Sequence, residues 1–182
     1  MKFDIKFRAL KKGDETFINE LRAYEEMEAK IGGPKRFVSI NREAKWVEDI
    51  IMGDSQISIY FAITKCDSDD IIGYTSISDI DYRNGTCFWS GIKLSPIVSG
   101  KGYGLQTALK ILKYVFEEMR MVRCTGECQE SHEIAMKLML KAGYKTEGLR
   151  RKYLYKNGTH INSWLLSVTD DDYIKIKQKY DI

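Results

Sequence analysis

Ser95-Pro96-Ile97-Val98-Ser99-Gly100-Lys101-Gly102-Tyr103-Gly104 joins a strand-like run, Cys87 to Leu94, to the most regular helical pattern in the chain. Glycine at three alternate positions leaves backbone N–H groups unshielded by side chains, just before a helix N-terminus. Such a terminus carries about half a positive charge, so the turn is suited to anions, phosphates above all. The plainer reading is a flexible turn that caps a helix; a lysine among the glycines favours phosphate. A Walker loop is excluded, because neither Ser95 nor Pro96 supplies its first glycine and Gly102 follows Lys101. A dinucleotide fingerprint fails too, since it needs glycine at Leu105 or at Thr107.

Outward from this turn, the helix runs from about Gly104 to Met119, with Leu105, Ala108, Leu109, Leu112, Val115, Phe116 and Met119 on one stripe. Upstream, Ile57 to Thr64 and Ile71 to Ile80 are rich in β-branched and aromatic residues, with the polar loop Cys66 to Asp70 between them. Asn84-Gly85, the pair a type I′ hairpin turn prefers, then leads into Cys87 to Leu94. Further upstream, Phe3, Ile5 and Phe7 alternate as in a half-buried strand. Asp14 is positioned to cap a helix with apolar Phe17, Leu21 and Tyr24, which Gly32-Gly33-Pro34 stops. Ser39 is positioned to cap a second helix, with Val47, Ile50 and Ile51 on one face and Gly53 near its end.

Downstream, Met121 to Gln129 reads as a strand. Ile134, Ala135, Leu138, Met139 and Ala142 mark a helix closed by Gly143 as a left-handed cap. A hairpin, Tyr144 to Tyr155 and His160 to Val168, turns at Asn157-Gly158. This order predicts an α+β fold, a mixed and mostly antiparallel sheet of about seven strands flanked by about four helices. The crossover through the long helix makes the strands on either side of it parallel neighbours or near-neighbours. With no repeat, low-complexity tract or linker, residues 1–182 read as a single domain.

Composition narrows the function. Hydrophobic residues make up 43% and charged residues 30%, an ordinary globular balance. The net charge of +3 comes from 29 basic and 26 acidic side chains dispersed along the chain, which argues against nucleic acid. There is no long apolar run and no leader pattern, Met1-Lys2-Phe3-Asp4 leading straight into a strand, so a cytoplasmic protein without a membrane span is expected. Cys66, Cys87, Cys124 and Cys128 form no C-x-x-C pair, and His132 and His160 lack ligand-like spacing, so reduced thiols and no metal are expected.

Ser99-Gly100-Lys101-Gly102-Tyr103-Gly104 resembles the acyl-coenzyme A loop of the GNAT acetyltransferase superfamily, Arg/Gln-x-x-Gly-x-Gly/Ala. Lys141-Ala142-Gly143-Tyr144-Lys145-Thr146-Glu147-Gly148 resembles the run that follows that family's fourth helix, and the order of elements matches from Phe3 to about Val168. Gly32-Gly33-Pro34 and Trp46 are similar to the ribosomal-protein-alanine and spermidine acetyltransferase branch. The resemblance implies that backbone N–H groups of Gly100, Lys101, Gly102, Tyr103 and Gly104 hold the coenzyme A pyrophosphate. Ile92, Lys93 and Leu94 would pair with the pantetheine arm and polarise the thioester carbonyl. Ser99 stands where the family has Arg or Gln, and Ala135 where it often has Ser. His132 stands where it usually has Asn, either donating to the pantetheine or remaining an exposed loop residue. Trp89 replaces a frequent Glu, and Met139 replaces a tyrosine thought to protonate the leaving thiolate, which a thioether cannot do.

The implied activity is acetyl transfer from acetyl-coenzyme A to a primary amine by direct attack. An amine is mostly protonated at neutral pH, so a proton acceptor is required. Glu127 is the first candidate base and Asp81 the second, with Asp79 beside it. The acceptor is left open between a polyamine, an amino sugar and a protein N-terminus, and a homodimer is left open as the assembly. Two rivals remain: a catalytically silent coenzyme A-binding module, motivated by Met139 and Trp89, and a nucleotide-phosphate binder, disfavoured by the two failed motifs.

Overall fold

Seven strands form one sheet in the order β1-β2-β3-β4-β5-β7-β6. They are β1 (Ile5–Arg8), β2 (Ile59–Lys65), β3 (Ile71–Asp81), β4 (Thr86–Leu94), β5 (Arg123–Gln129), β6 (Lys145–Lys156) and β7 (Thr159–Thr169). Every neighbouring pair is antiparallel except β4 and β5, which the crossover helix makes parallel as expected. The coordinates, a computed structural model, describe residues 1–31 and 35–182. The predicted helix stop at Gly32-Gly33-Pro34 lies outside the described residues.

The described residues contain six α-helices, where about four were expected. The first predicted helix divides into α1 (Asp14–Arg22) and α2 (Glu25–Lys30), because Tyr24 between them takes an extended conformation. Then follow α3 (Ile40–Met52), α4 (Tyr103–Lys113, continued by a π-helical turn over Tyr114–Glu118), α5 (Glu133–Ala142) and α6 (Asp170–Tyr180). The last was not anticipated. Its charge conceals a short apolar face, Tyr173 and Ile176, while Thr169 and Asp172 start it with a reciprocal capping box.

Local signals fared unevenly. Ser39 caps α3 by accepting from the Arg42 N–H, and Gly143 closes α5 at φ 104°. Asp14, by contrast, does not cap α1. Gly13 occupies that position, and the buried Asp14 carboxylate instead receives two bonds from the Arg8 guanidinium at 2.7 and 2.9 Å. Ile51, expected on the packed face of α3, is exposed, whereas Val47 is fully buried. Asn157 and Gly158 both have positive φ, as a type I′ turn requires. At Asn84-Gly85 only the glycine does, and Asp81 instead holds a wider turn by accepting from the Arg83 and Asn84 N–H groups.

The sheet separates two apolar layers. On one face, Ile18 and Leu21 of α1 and Val47 of α3 pack against Ala62 and Tyr74. On the other, Ala108, Leu109, Ile111 and Leu112 of α4, Met139 of α5 and Ile176 of α6 cover Ile77, Trp89, Cys124 and Leu166. Burial of these side chains supplies the main favourable term in folding. It also fixes the two helix layers that flank the centre of the sheet.

Candidate active site

β4 and β5 are paired only from Thr86/Arg123 to Trp89/Gly126. Beyond that point both strands continue without each other, and a cavity of about 310 Å³ opens between them, lined by Trp89 to Lys93, Glu127, Cys128, His132 and the exposed face of α5. A smaller cavity of about 140 Å³ shares Lys30, Trp89, Ser90, Glu127 and Cys128 with it.

A β-bulge causes the parting. Opposite β3, Ile77 faces Trp89 and Thr75 faces Ile92, so Ser90 and Gly91 together oppose Ser76. Gly91 takes φ 79°, which an L side chain rarely adopts. One hydroxyl locks the bulge: Thr75 donates to the Gly91 carbonyl at 2.7 Å and accepts from the Trp89 indole N–H at 2.9 Å. The extra residue reverses the alternation of β4. Ile92 therefore joins Trp89 on the α4 face, while Lys93 crosses to the α1 face, its ammonium 4.8 Å from the centre of the Tyr74 ring.

The register also shows which backbone groups face the cleft. Ser95 donates to Ile72, so the next pair of the same kind, Lys93 opposite Tyr74, also turns its backbone groups toward β3. Alternation then leaves the N–H and C=O groups of Ile92 and Leu94 directed at the cleft. Of Ile92, Lys93 and Leu94, the first and last turn backbone groups toward the cleft, and Lys93 lines it as well.

The glycine loop meets the cleft at the start of α4. Gly100 and Gly102 have φ 75° and 76° with open space around them, so conformation rather than crowding demands glycine. Gly104 differs: a Cβ there would lie 2.6 Å from Leu138 and 3.4 Å from Ile92, so this glycine allows α4 to approach α5 and β4. Gly102 offers no side-chain cap, and the N–H groups of the first turn remain unspent for an anion. Ser99 ends a short 3₁₀ turn and donates its N–H to Pro96. Lys101 borders a separate cavity beside Lys65 and Ser95.

Glu127 enters the cleft from β5, mostly covered, with Arg150 of β6 donating to it at 2.8 Å. Burial raises its pKa above the ordinary carboxylate value, although Arg150 and Ser163 pull the other way. Asp81 is not brought here. It sits half-exposed at the far end of β3, and its bonds to the turn it holds lower its pKa. Asp79 lies on the same distant stretch at φ 49°. His132 is neither an exposed loop residue nor a free donor on both nitrogens. It caps α5, its Nδ1 accepting from the Ala135 N–H at 3.4 Å, which leaves Nε2–H as the available donor. Burial, with Lys30 nearby, lowers its pKa and keeps it neutral. Met139 is buried at the cleft floor, and Tyr144 is a core residue whose hydroxyl meets the Cys124 thiol at 3.3 Å.

The pattern of the acetyltransferase (GNAT) domain family matches residues 4–145. The chain belongs to the GNAT acetyltransferase family. Among curated proteins it is 26% identical over 113 residues to the uncharacterized N-acetyltransferase p20 of Bacillus licheniformis, covering 62% of this chain and 63% of that one. It is also 26% identical over 113 residues to the uncharacterized N-acetyltransferase YnaD of Bacillus subtilis (strain 168), covering 62% and 65%. The match thus spans somewhat under two thirds of these relatives. Among solved structures, spermidine N-acetyltransferase from Vibrio cholerae in complex with CoA and spermine superposes with a TM-score of 0.85 at 18% identity, over 94% of this chain and 98% of that chain. At that identity the likeness establishes the fold. No helix among the described residues is long and apolar enough to cross a membrane.

Thr75, Lys30 and Met27, which no local pattern marks, also shape the cleft: Thr75 locks the bulge, and Lys30 and Met27 bring α2 to the rim. In the basic run Arg150-Arg151-Lys152, which from the sequence either faces an anionic acceptor or is merely solvated, Arg150 pairs with Glu127.

Proposed function

We propose that the chain transfers an acetyl group from acetyl-coenzyme A to a primary amine by direct attack, with Glu127 as the base. The observation that carries this reading is the parting of β4 and β5 beside the uncapped N-terminus of α4, with a desolvated carboxylate across the opening. The pyrophosphate would rest on the first-turn N–H groups of α4, where the helix dipole adds its charge. The pantetheine would lie along the backbone of Ile92 and Leu94 as an added strand. Glu127 takes a proton from the ammonium, and its free oxygen leaves the bond to Arg150 intact. The amine nitrogen then bonds to the acetyl carbon, the C–S bond breaks, coenzyme A departs as a thiolate, and the second proton on nitrogen passes to that thiolate through solvent. A thiol with a pKa of about 8.5 needs little protonation to leave, so buried Met139 is no obstacle. A cytoplasmic setting suits four cysteines that form no disulfide.

The test is release of free thiol from acetyl-coenzyme A with a panel of primary amines, beside thermal shifts with acetyl-coenzyme A and with acetylated pantetheine. Amine-dependent thiol release is expected, with stabilisation mainly by the phosphate-bearing donor. Equal stabilisation by both donors would remove the pyrophosphate assignment, and no thiol release with any amine would remove the transfer.

A further inference from the structure

On the α1 face of the cleft the charges do not balance. Lys93 reaches this face only because of the bulge, and its ammonium rests on the Tyr74 ring rather than on a carboxylate. Two carboxylates stand near it, and each is committed elsewhere. Glu43 takes two bonds from Arg22 at 2.6 and 3.0 Å, and Glu28 pairs with Lys156 at 3.2 Å. Among the described residues no carboxylate lies within ion-pair distance of Lys93. The cleft's other charged lining is Lys30 and Glu127, and Glu127 is already paired with Arg150. The space beside the candidate base is therefore net cationic.

We infer that the acceptor is a small amine carrying its own anionic group, and that Lys93, with Lys30 at the rim, receives that group while the amine faces Glu127. This deepens the acetyl-transfer reading and rests on it. A diamine or polyamine would bring a second ammonium against an unneutralised lysine in a partly desolvated site, where like charges repel far more than in water. An anionic tail would complete the cluster instead, in a charge-assisted hydrogen bond. Burial holds Lys93 down to about 8, with Arg22 adding repulsion that Glu28 and Glu43 only partly offset, so an arriving anion would raise that value again and keep the ammonium charged to higher pH.

The experiment compares acceptors of equal chain length and different tail. The set is 3-aminopropanoate and 5-aminopentanoate, the matching alkylamines, and the matching diamines. An aminoalkylphosphonate separates carboxylate from phosphate recognition. With acetyl-coenzyme A saturating, the anionic member is expected to exceed the alkylamine about tenfold in kcat/KM, the diamine being poorest. In Lys93→Met the ratio should fall to within about threefold, and Lys93→Arg should retain most of it. The ratio cancels any loss common to both acceptors. Diamines used as well as the anionic amines, or a ratio unchanged in Lys93→Met, would overturn the assignment. The N-acetylated products are titrated in parallel into protein saturated with coenzyme A. Selective binding of the anionic product without turnover would defeat the transfer reading and leave the anion site standing. Equal or absent binding across the set would defeat the anion site.

Discussion

The two sides of the cleft are made of different material. The proposed donor side, from Ile92 and Leu94 to the first turn of α4, is backbone: two strand positions unpaired toward the cleft, two left-handed glycines and a helix terminus. The proposed acceptor side is side chain: Glu127 from β5, Arg150 from β6, Lys93 thrown across by a bulge, and Lys30 from α2. A backbone site needs only that glycine occur where φ is positive, and it tolerates changes in the residues between. A side-chain site depends on elements far apart in sequence arriving in register, so one substitution can abolish or redirect it.

The comparison can be broken most directly at Glu127. Glu127→Gln keeps the shape and the Arg150 contact but removes the proton acceptor. Turnover should fall about 100-fold with the KM for acetyl-coenzyme A changed less than about threefold, as read by steady-state thiol release. If the rate moves by less than a few-fold, solvent rather than a protein carboxylate takes the proton.

Gly102→Val tests the other side. A β-branched residue at φ 76° is strained by about 1–2 kcal/mol, and the loop should shift rather than the helix. The KM for acetyl-coenzyme A should rise about tenfold while that for the amine stays level. Gly104→Val should do something else, because its side chain would strike Leu138. There the melting temperature should drop, by several degrees for about 1–3 kcal/mol of overpacking. If the two variants behave alike, the division of labour among the glycines is wrong.

A third effect lies in stability alone. Burial lowers the folded-state pKa of Lys93 to about 8 from 10.5, so the unfolded chain binds its proton more tightly. The burden on the fold is full below pH 8 and is relieved as the pH rises from about 8 toward 10.5. Lys93→Met should therefore stabilise the protein at pH 7, by about 1–2 kcal/mol after allowance for residual solvent, and by progressively less toward pH 10. Chemical denaturation at both pH values measures it. A gain that does not shrink with pH would point to packing instead of charge.

The smallest expected effect is at His132. Its depressed pKa means that the neutral cap contributes stability above the ordinary histidine pKa, and this is lost as the pH falls below about 6.5. His132→Asn should preserve the cap and flatten that dependence, whereas His132→Ala should lower stability by about 1 kcal/mol. A pH profile indistinguishable between wild type and His132→Asn would show that the imidazole is not the group being titrated.

Much of the fold was legible for the reason that the donor side was. The I′ turn at Asn157-Gly158, the cap at Gly143 and the stripe of α4 each follow from a few adjacent residues. Local reading failed where a second side chain a few residues away outbid the first signal. Asn84-Gly85 carries the same dipeptide as the other hairpin, yet Asp81 organises a wider turn around it. Asp14 looked like a cap and was taken by Arg8. The short amphipathic face of α6 was masked by its charges.

By itself the sequence determined the order of the seven strands and of α3 to α5, and the glycines at Gly100, Gly102 and Gly143 that bend left-handed. Only the tertiary structure decided which residues would meet across the cleft. Period-two reading from Cys87 and Trp89 places Lys93 on the α4 face; the bulge at Ser90-Gly91 reverses that and sends it to the acceptor side. Glu127 and Asp81 stood first and second among the carboxylates in the sequence, and β-sheet register left Asp81 at a turn and brought Glu127 into the cleft. Backbone conformation is dictated over a few neighbouring residues, whereas the environment of a charge is set by whatever the rest of the chain packs around it.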